Sequence, residues 1–80
     1  LEKTVEYYES LPWKVQIEPE LQEDHTIIYL ASHPEFEGVL GSGATPEDAL
    51  ADLRLARRSM IESLLMEGYP VPEPKAVPAA

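Results

Sequence analysis

Two histidines and a set of carboxylates are the residues of this 80-residue chain whose types could do chemistry. His33 stands two positions before Glu35 in SHPEFEG, the pairing of a general base with a group that orients it. The same His-Pro-Glu run at a strand end also reads as a solvated loop, and the sequence favours that reading. His25 and His33 flank one extended segment, which separates them by ~26 Å at about 3.3 Å per residue, too far to share a metal ion within a chain. Across a subunit interface they could still meet. Glu35 and Glu37 form a carboxylate pair on the loop with no sign of a pocket, and Ser42, Ser59 and Ser63 belong to no motif that pairs them with a histidine. The chain has no cysteine, which excludes disulfides, thiolate chemistry and cysteine-ligated zinc. No catalytic residue, metal site or cofactor is therefore expected.

The stretch GSGATPEDAL, residues 41–50, offers a second kind of chemistry, because a glycine-rich turn entering a helix can cradle phosphate. Gly41 and Gly43 allow close backbone approach. The other requirements fail: Pro46 removes an amide, no Lys or Arg lies within the stretch or in the ten residues before it, and Glu47 and Asp48 occupy the positive end of the helix dipole. The third glycine of a dinucleotide fingerprint and the Gly-Lys-Ser/Thr ending of a P-loop are also missing. The glycines are expected to permit a tight strand-to-helix turn and close packing there.

Charge is unevenly placed. Residues 15–53 contain nine acids (Glu18, Glu20, Glu23, Asp24, Glu35, Glu37, Glu47, Asp48 and Asp52) and no Lys or Arg, so this window carries the whole net charge of −9. Such a surface repels nucleic-acid phosphates and anionic lipid and attracts a basic protein, mainly by steering the encounter. No apolar run approaches the ~20 residues of a bilayer span and no signal-type segment opens the chain, so a cytoplasmic location is expected.

The elements that must position these residues read as a single small α+β domain. The alternation in WKVQIE predicts a strand from Trp13, with Trp13, Val15 and Ile17 on one side, ended by Pro19 and followed by the connection PELQED. TIIYLAS, residues 26–32, is apolar on both sides and predicts a central strand or one covered by another subunit. A third short strand is placed at Val39 and Leu40. Thr45 as cap, Pro46 in the first turn and Asp48 three positions beyond the cap then start a helix. Ala49, Leu50, Leu53, Ala56, Met60, Ile61, Leu64 and Leu65 recur along its apolar side until Gly68 stops it. At about 1.5 Å per residue it is some 30 Å long, enough to cover a three- or four-stranded sheet alone. Arg57 falls inside the apolar arc, where its stem can pack while the guanidinium reaches an acid at the sheet rim or on a partner. Leu55 and Met66 lie on the polar side. The division is an N-terminal arm at 1–12, the domain proper at 13–68, and a proline-rich segment at 69–80 that starts out extended along the sheet edge or the surface and ends loose.

The run ASHPEFEGVLGSGATPEDAL, with the helix and EGYPVPEP after it, resembles the HicB antitoxin family in its short, stand-alone form. Pro34, Glu35, Phe36, Gly38, Gly43, Thr45, Glu47, Ala49, Leu50, Gly68, Pro70, Pro72 and Pro74 match the family pattern, and YYESLPWKV looks like a common opening of the short form. Glu37 and Val39 depart from it, standing where a proline and a cysteine are usual. The resemblance implies a partial ribonuclease-H-like fold: a three- or four-stranded sheet with one long helix on one face, in β-β-β-α order, without the nuclease carboxylates. It also implies a protein that forms homodimers or homotetramers and binds a HicA toxin, a small basic mRNA-cleaving protein, to hold it inactive. No DNA-binding module is recognised in these residues, so binding to nucleic acid is not carried over, and neither is a small-molecule substrate. The charge argument, independent of the family, selects Glu23, Asp24, Glu35 and Glu37 as partner-binding residues, with Glu18 and Glu20 as lesser candidates. The alternatives are an oligomeric structural or adaptor module of the same fold with no toxin partner, and an enzyme in which His25 or His33 meets carboxylates of another subunit.

Overall fold

A computed structural model describes residues 3–75. Its order is α1 (Val5–Glu9), β1 (Gln16–Leu21), β2 (Ile27–Ser32), β3 (Leu40–Gly43) and α2 (Pro46–Glu67). The three strands form one antiparallel sheet in the order β1-β2-β3, and α2 packs on one side of it. The expected α+β class, strand count and β-β-β-α core are those observed, with the short α1 preceding them.

Alternation along the strands decides which residues meet α2. The register pairs Ile17 with Ala31, Pro19 with Tyr29 and Leu21 with Ile27, and on the other side of β2 it pairs Ala31 with Gly41 and Tyr29 with Gly43. Directly opposed residues share a face, so these odd-numbered positions form the helix side of the sheet. Ala31 is fully buried there, and the core continues through Phe36, Val39, Ala49, Leu53 and Ile61.

The glycines of β3 set where the helix lies. A methyl group on Gly41 would overlap the backbone N of Leu53 and sit 2.5 Å from Ala49 O, and one on Gly43 would sit 2.5 Å from Asp48 Cβ. Only bare backbone allows that approach, so α2 rests directly on β3. Close packing at these glycines is as expected, but they belong to the strand, and the turn into the helix is left to Ala44 and Thr45. A second expectation is corrected by the same contact. Held over β3, α2 touches β2 less and β1 hardly at all, so it does not cover the sheet alone.

Both boundaries of β1 also differ from the sequence reading, and Val39, expected in the third strand, is buried just before it. Trp13 is not in β1: its amide bonds to Leu11 O at 2.8 Å and its Nε1–H donates to Tyr8 O at 2.8 Å, while its ring stacks on Phe36 with centroids 5.3 Å apart. Those bonds tie it to α1. Pro19 lies inside β1 and does not end it. Gln22 N–H donates to Thr26 O, which makes that opposed pair a hydrogen-bonded one, so even-numbered residues of β1 turn their amides toward β2 and Pro19 turns outward. An edge strand tolerates proline there because no ladder bond is lost. The opposite edge is closed differently: the outward N–H of Ser42 donates to Asp52 Oδ2 of α2 at 2.9 Å.

The helix termini match the sequence. Thr45 Oγ1 accepts from Asp48 N at 3.1 Å, Pro46 opens the helix, and Gly68 ends it at φ 77°, in the left-handed region. The segment after it packs Val71 and Pro74 inward, and Glu73 accepts from Lys3 Nζ at 2.8 Å and Tyr7 O–H at 2.9 Å. It therefore lies against α1.

Candidate functional site

The β1-β2 connection carries the first two predicted partner-binding acids. His25 N–H donates to Gln22 O and His25 takes φ 70°, so Glu23 and Asp24 occupy the two central positions of a tight turn. Asp24 Oδ1 accepts from Thr26 Oγ1 at 2.6 Å and from Thr26 N at 3.1 Å. Those two bonds hold its carboxyl below the usual carboxylate range and fix it as an anion at the tip. Glu23 beside it is exposed, and Glu18 and Glu20 stand exposed on the side of β1 away from α2.

Glu35 and Glu37 are at the other end of β2, about 20 Å away for six strand residues. The structure does not bring them to the tip. Glu37 is exposed, whereas Glu35 is half-buried, its Oε1 lacking a hydrogen-bond partner among the described residues, beside Lys14, Lys75 and Glu73. Because β3 runs antiparallel to β2, α2 starts at the tip end, bringing Glu47 and Asp48 there and Asp52 beside Ser42 at mid-sheet. Seven of the nine window acids, all but Glu35 and Glu37, thus lie between the tip and the middle of the sheet, where Glu18 and Asp52 flank the Leu30–Ser42 pair.

The opposite half is internally compensated. Arg58 reaches Glu9 at 2.5 Å, Glu62 at 3.6 Å and Glu6 at 3.9 Å, and Lys3 pairs with Glu73. The molecule is therefore electrically lopsided.

His33 is not in a solvated loop. It is 3% exposed, against Trp13 at a centroid distance of 5.4 Å. Nδ1 lies 2.7 Å from Lys14 O and Nε2 lies 3.2 Å from Arg57 Nη1. A carbonyl only accepts and a guanidinium only donates, so Nδ1 carries the proton and Nε2 receives the arginine's. Both nitrogens are engaged, and the one available lone pair, on Nε2, is taken by Arg57. Burial pushes the imidazole below its ordinary value, Arg57 pushes the same way, and the Lys14 carbonyl and Glu35 oppose them. Arg57 thus meets a neutral ring, not the acid expected of it. Its place in the apolar arc was legible from helical spacing, but its contact with His33 requires knowing that β2 ends beneath it.

His25 is exposed at the tip, at the far end of β2 from His33. Among the described residues no group of three His, Asp or Glu side chains is placed to hold a metal ion, and no helix is long and apolar enough to cross a membrane. At the start of α2, Ser42 and Asp48 amides are bonded by Asp52 and Thr45, which leaves a phosphate few donors.

Sequence reasoning missed an apolar surface. On the helix side, Ile17, Leu21 and Ile27 are exposed, Leu21 at 68% and Ile27 at 52%, with exposed Val15 just before the strand. The alternation of β1 gave the side, but only the displacement of α2 toward β3 leaves it open.

Compared with protein-family models, curated proteins and solved structures, the chain matches none of them. The likeness to HicB antitoxins rests on the residues named in the sequence alone.

Proposed function

We propose that the chain is a non-enzymatic binding protein, a HicB-like antitoxin that masks a small basic ribonuclease of the HicA type. The observation that carries this reading is the gathering of seven carboxylates between the tip and the middle of the sheet, with no Lys or Arg anywhere in residues 15–53. A cationic partner approaching from that end meets a predominantly negative field, which accelerates and orients the encounter. Engagement of both His33 nitrogens supports a binding role over a catalytic one. Glu23, Asp24, Glu18 and Glu20 are the contacts this reading favours, while Glu35 and Glu37 lie on the far end and serve a partner only if it spans the sheet.

The test is inhibition of RNA cleavage by a HicA-type ribonuclease on adding the full chain, at low and at high salt. Suppression at low salt that weakens as salt rises is expected. Changing Glu18, Glu20 and Glu23 together to Gln should slow association by roughly tenfold and flatten its salt dependence, because rim charges act chiefly on the on-rate. Cleavage that proceeds unaffected at every salt concentration sinks the reading.

A further inference from the structure

With α2 drawn onto β3 by Gly41 and Gly43, the helix side of β1 is an open lane. Its floor is Ile17, Pro19, Leu21 and Ile27, and α2 forms one wall. From Val15 to Leu21 it runs about 20 Å, the length of roughly 13 helical residues. A strand joining the edge would lie beside the lane and not in it, and Pro19 offers it no N–H at the middle of β1. A second copy would bring the same net charge of −9 against the acids around the lane, which disfavours pairing of two lanes face to face. Glu23 and Asp24 stand exposed at the tip end of the lane, and no cation lies in β1, β2 or their turn.

We propose that this lane seats an amphipathic helix of a cationic partner, its apolar stripe on Ile17, Leu21 and Ile27 and its Lys or Arg residues toward Glu23 and Asp24. The proposal rests on the reading that the partner is cationic, but not on that partner's being a ribonuclease. A protein that leaves RNA cleavage untouched yet binds such a helix here would fail the earlier reading and keep this one.

The probe is a labelled, end-blocked helical peptide of about 14 residues with leucines along one stripe and lysines clustered at one end. Saturable binding to the full chain is expected, and the double variant Leu21→Ser, Ile27→Ser should weaken it at least about tenfold, as expected for two lost apolar contacts. Leu55→Ser, on the far side of α2, should leave it unchanged. Since Leu21 and Ile27 are more than half exposed, neither change removes core, and amide shift mapping on the unmodified chain gives an independent reading. Shifts centred on Ile17, Leu21 and Ile27 support the proposal. Shifts centred on Leu30 and Leu40, which lie on the other face, overturn it, as does equal binding of a glutamate version of the peptide, equal binding by the double variant, or no binding. A dimer of the chain alone that the double variant converts to monomer also overturns it, because the occupant is then a second copy.

Discussion

His33 is a buried base whose protonation is opposed by its surroundings, and the sign of its effect on stability follows. Its folded pKa is depressed, so its contribution is complete above the ordinary value near 6.5 and is lost as pH falls through that value toward the folded one. Acid forces a proton onto Nε2 against the Arg57 guanidinium. Urea unfolding between about pH 7.5 and pH 5 should show stability falling in the natural chain and a smaller fall in His33→Gln, whose amide can replace both hydrogen bonds. At the tip, His25 holds a left-handed conformation that costs a non-glycine residue of order 1 kcal/mol. His25→Gly should therefore unfold at equal or higher urea, a gain of up to about 1 kcal/mol after the entropy of glycine is counted. Neither histidine's setting was legible in the sequence. His33 precedes a proline and sits among acids, which reads as solvent, and its burial comes from Trp13 and Arg57, residues distant in the chain that fold across it.

The long helix was the most legible element, since Thr45, Pro46 and Gly68 act through local bonds that need no tertiary information. The strands were less so. Trp13 continues the alternation of β1 yet is captured by Tyr8, and Pro19 reads as a terminator until the strand is known to lie at an edge. Close packing at Gly41 and Gly43 was legible from their missing side chains, but not that they lie within β3 under α2, because those contacts come from the far side of the turn. Gly41→Ala tests that role. Its added methyl meets helix backbone that cannot swing aside, so a loss of about 3 kcal/mol is expected, measurable as a lowered urea midpoint with an unchanged denaturant slope. An unchanged midpoint would mean that α2 shifts freely, and the open lane beside it would not be a fixed feature.

At the scale of the whole molecule, the described residues form a slab of 49 × 37 × 17 Å, thin because one helical layer lies on one sheet. The asymmetry of charge along that slab was foreshadowed by the acidic window, yet the window also contains Glu35 and Glu37, which the antiparallel turn of β2 sends to the opposite end. Linear clustering therefore overstated the patch by two carboxylates and mixed a half-buried one with exposed ones. The apolar lane adds a second property to the acidic half, so a partner surface with cations beside an apolar stripe fits it better than one with cations alone.

Sheets with bare margins can stack into fibrils, each chain templating the next through its unpaired amides. Here one margin has a proline where a donor would be and the other has its donor occupied by Asp52. Prolonged incubation of concentrated protein should leave thioflavin T dark, whereas Pro19→Thr restores an outward N–H within QIEPEL and should brighten it. The proline that looked like the end of a strand would then be what keeps this sheet at three.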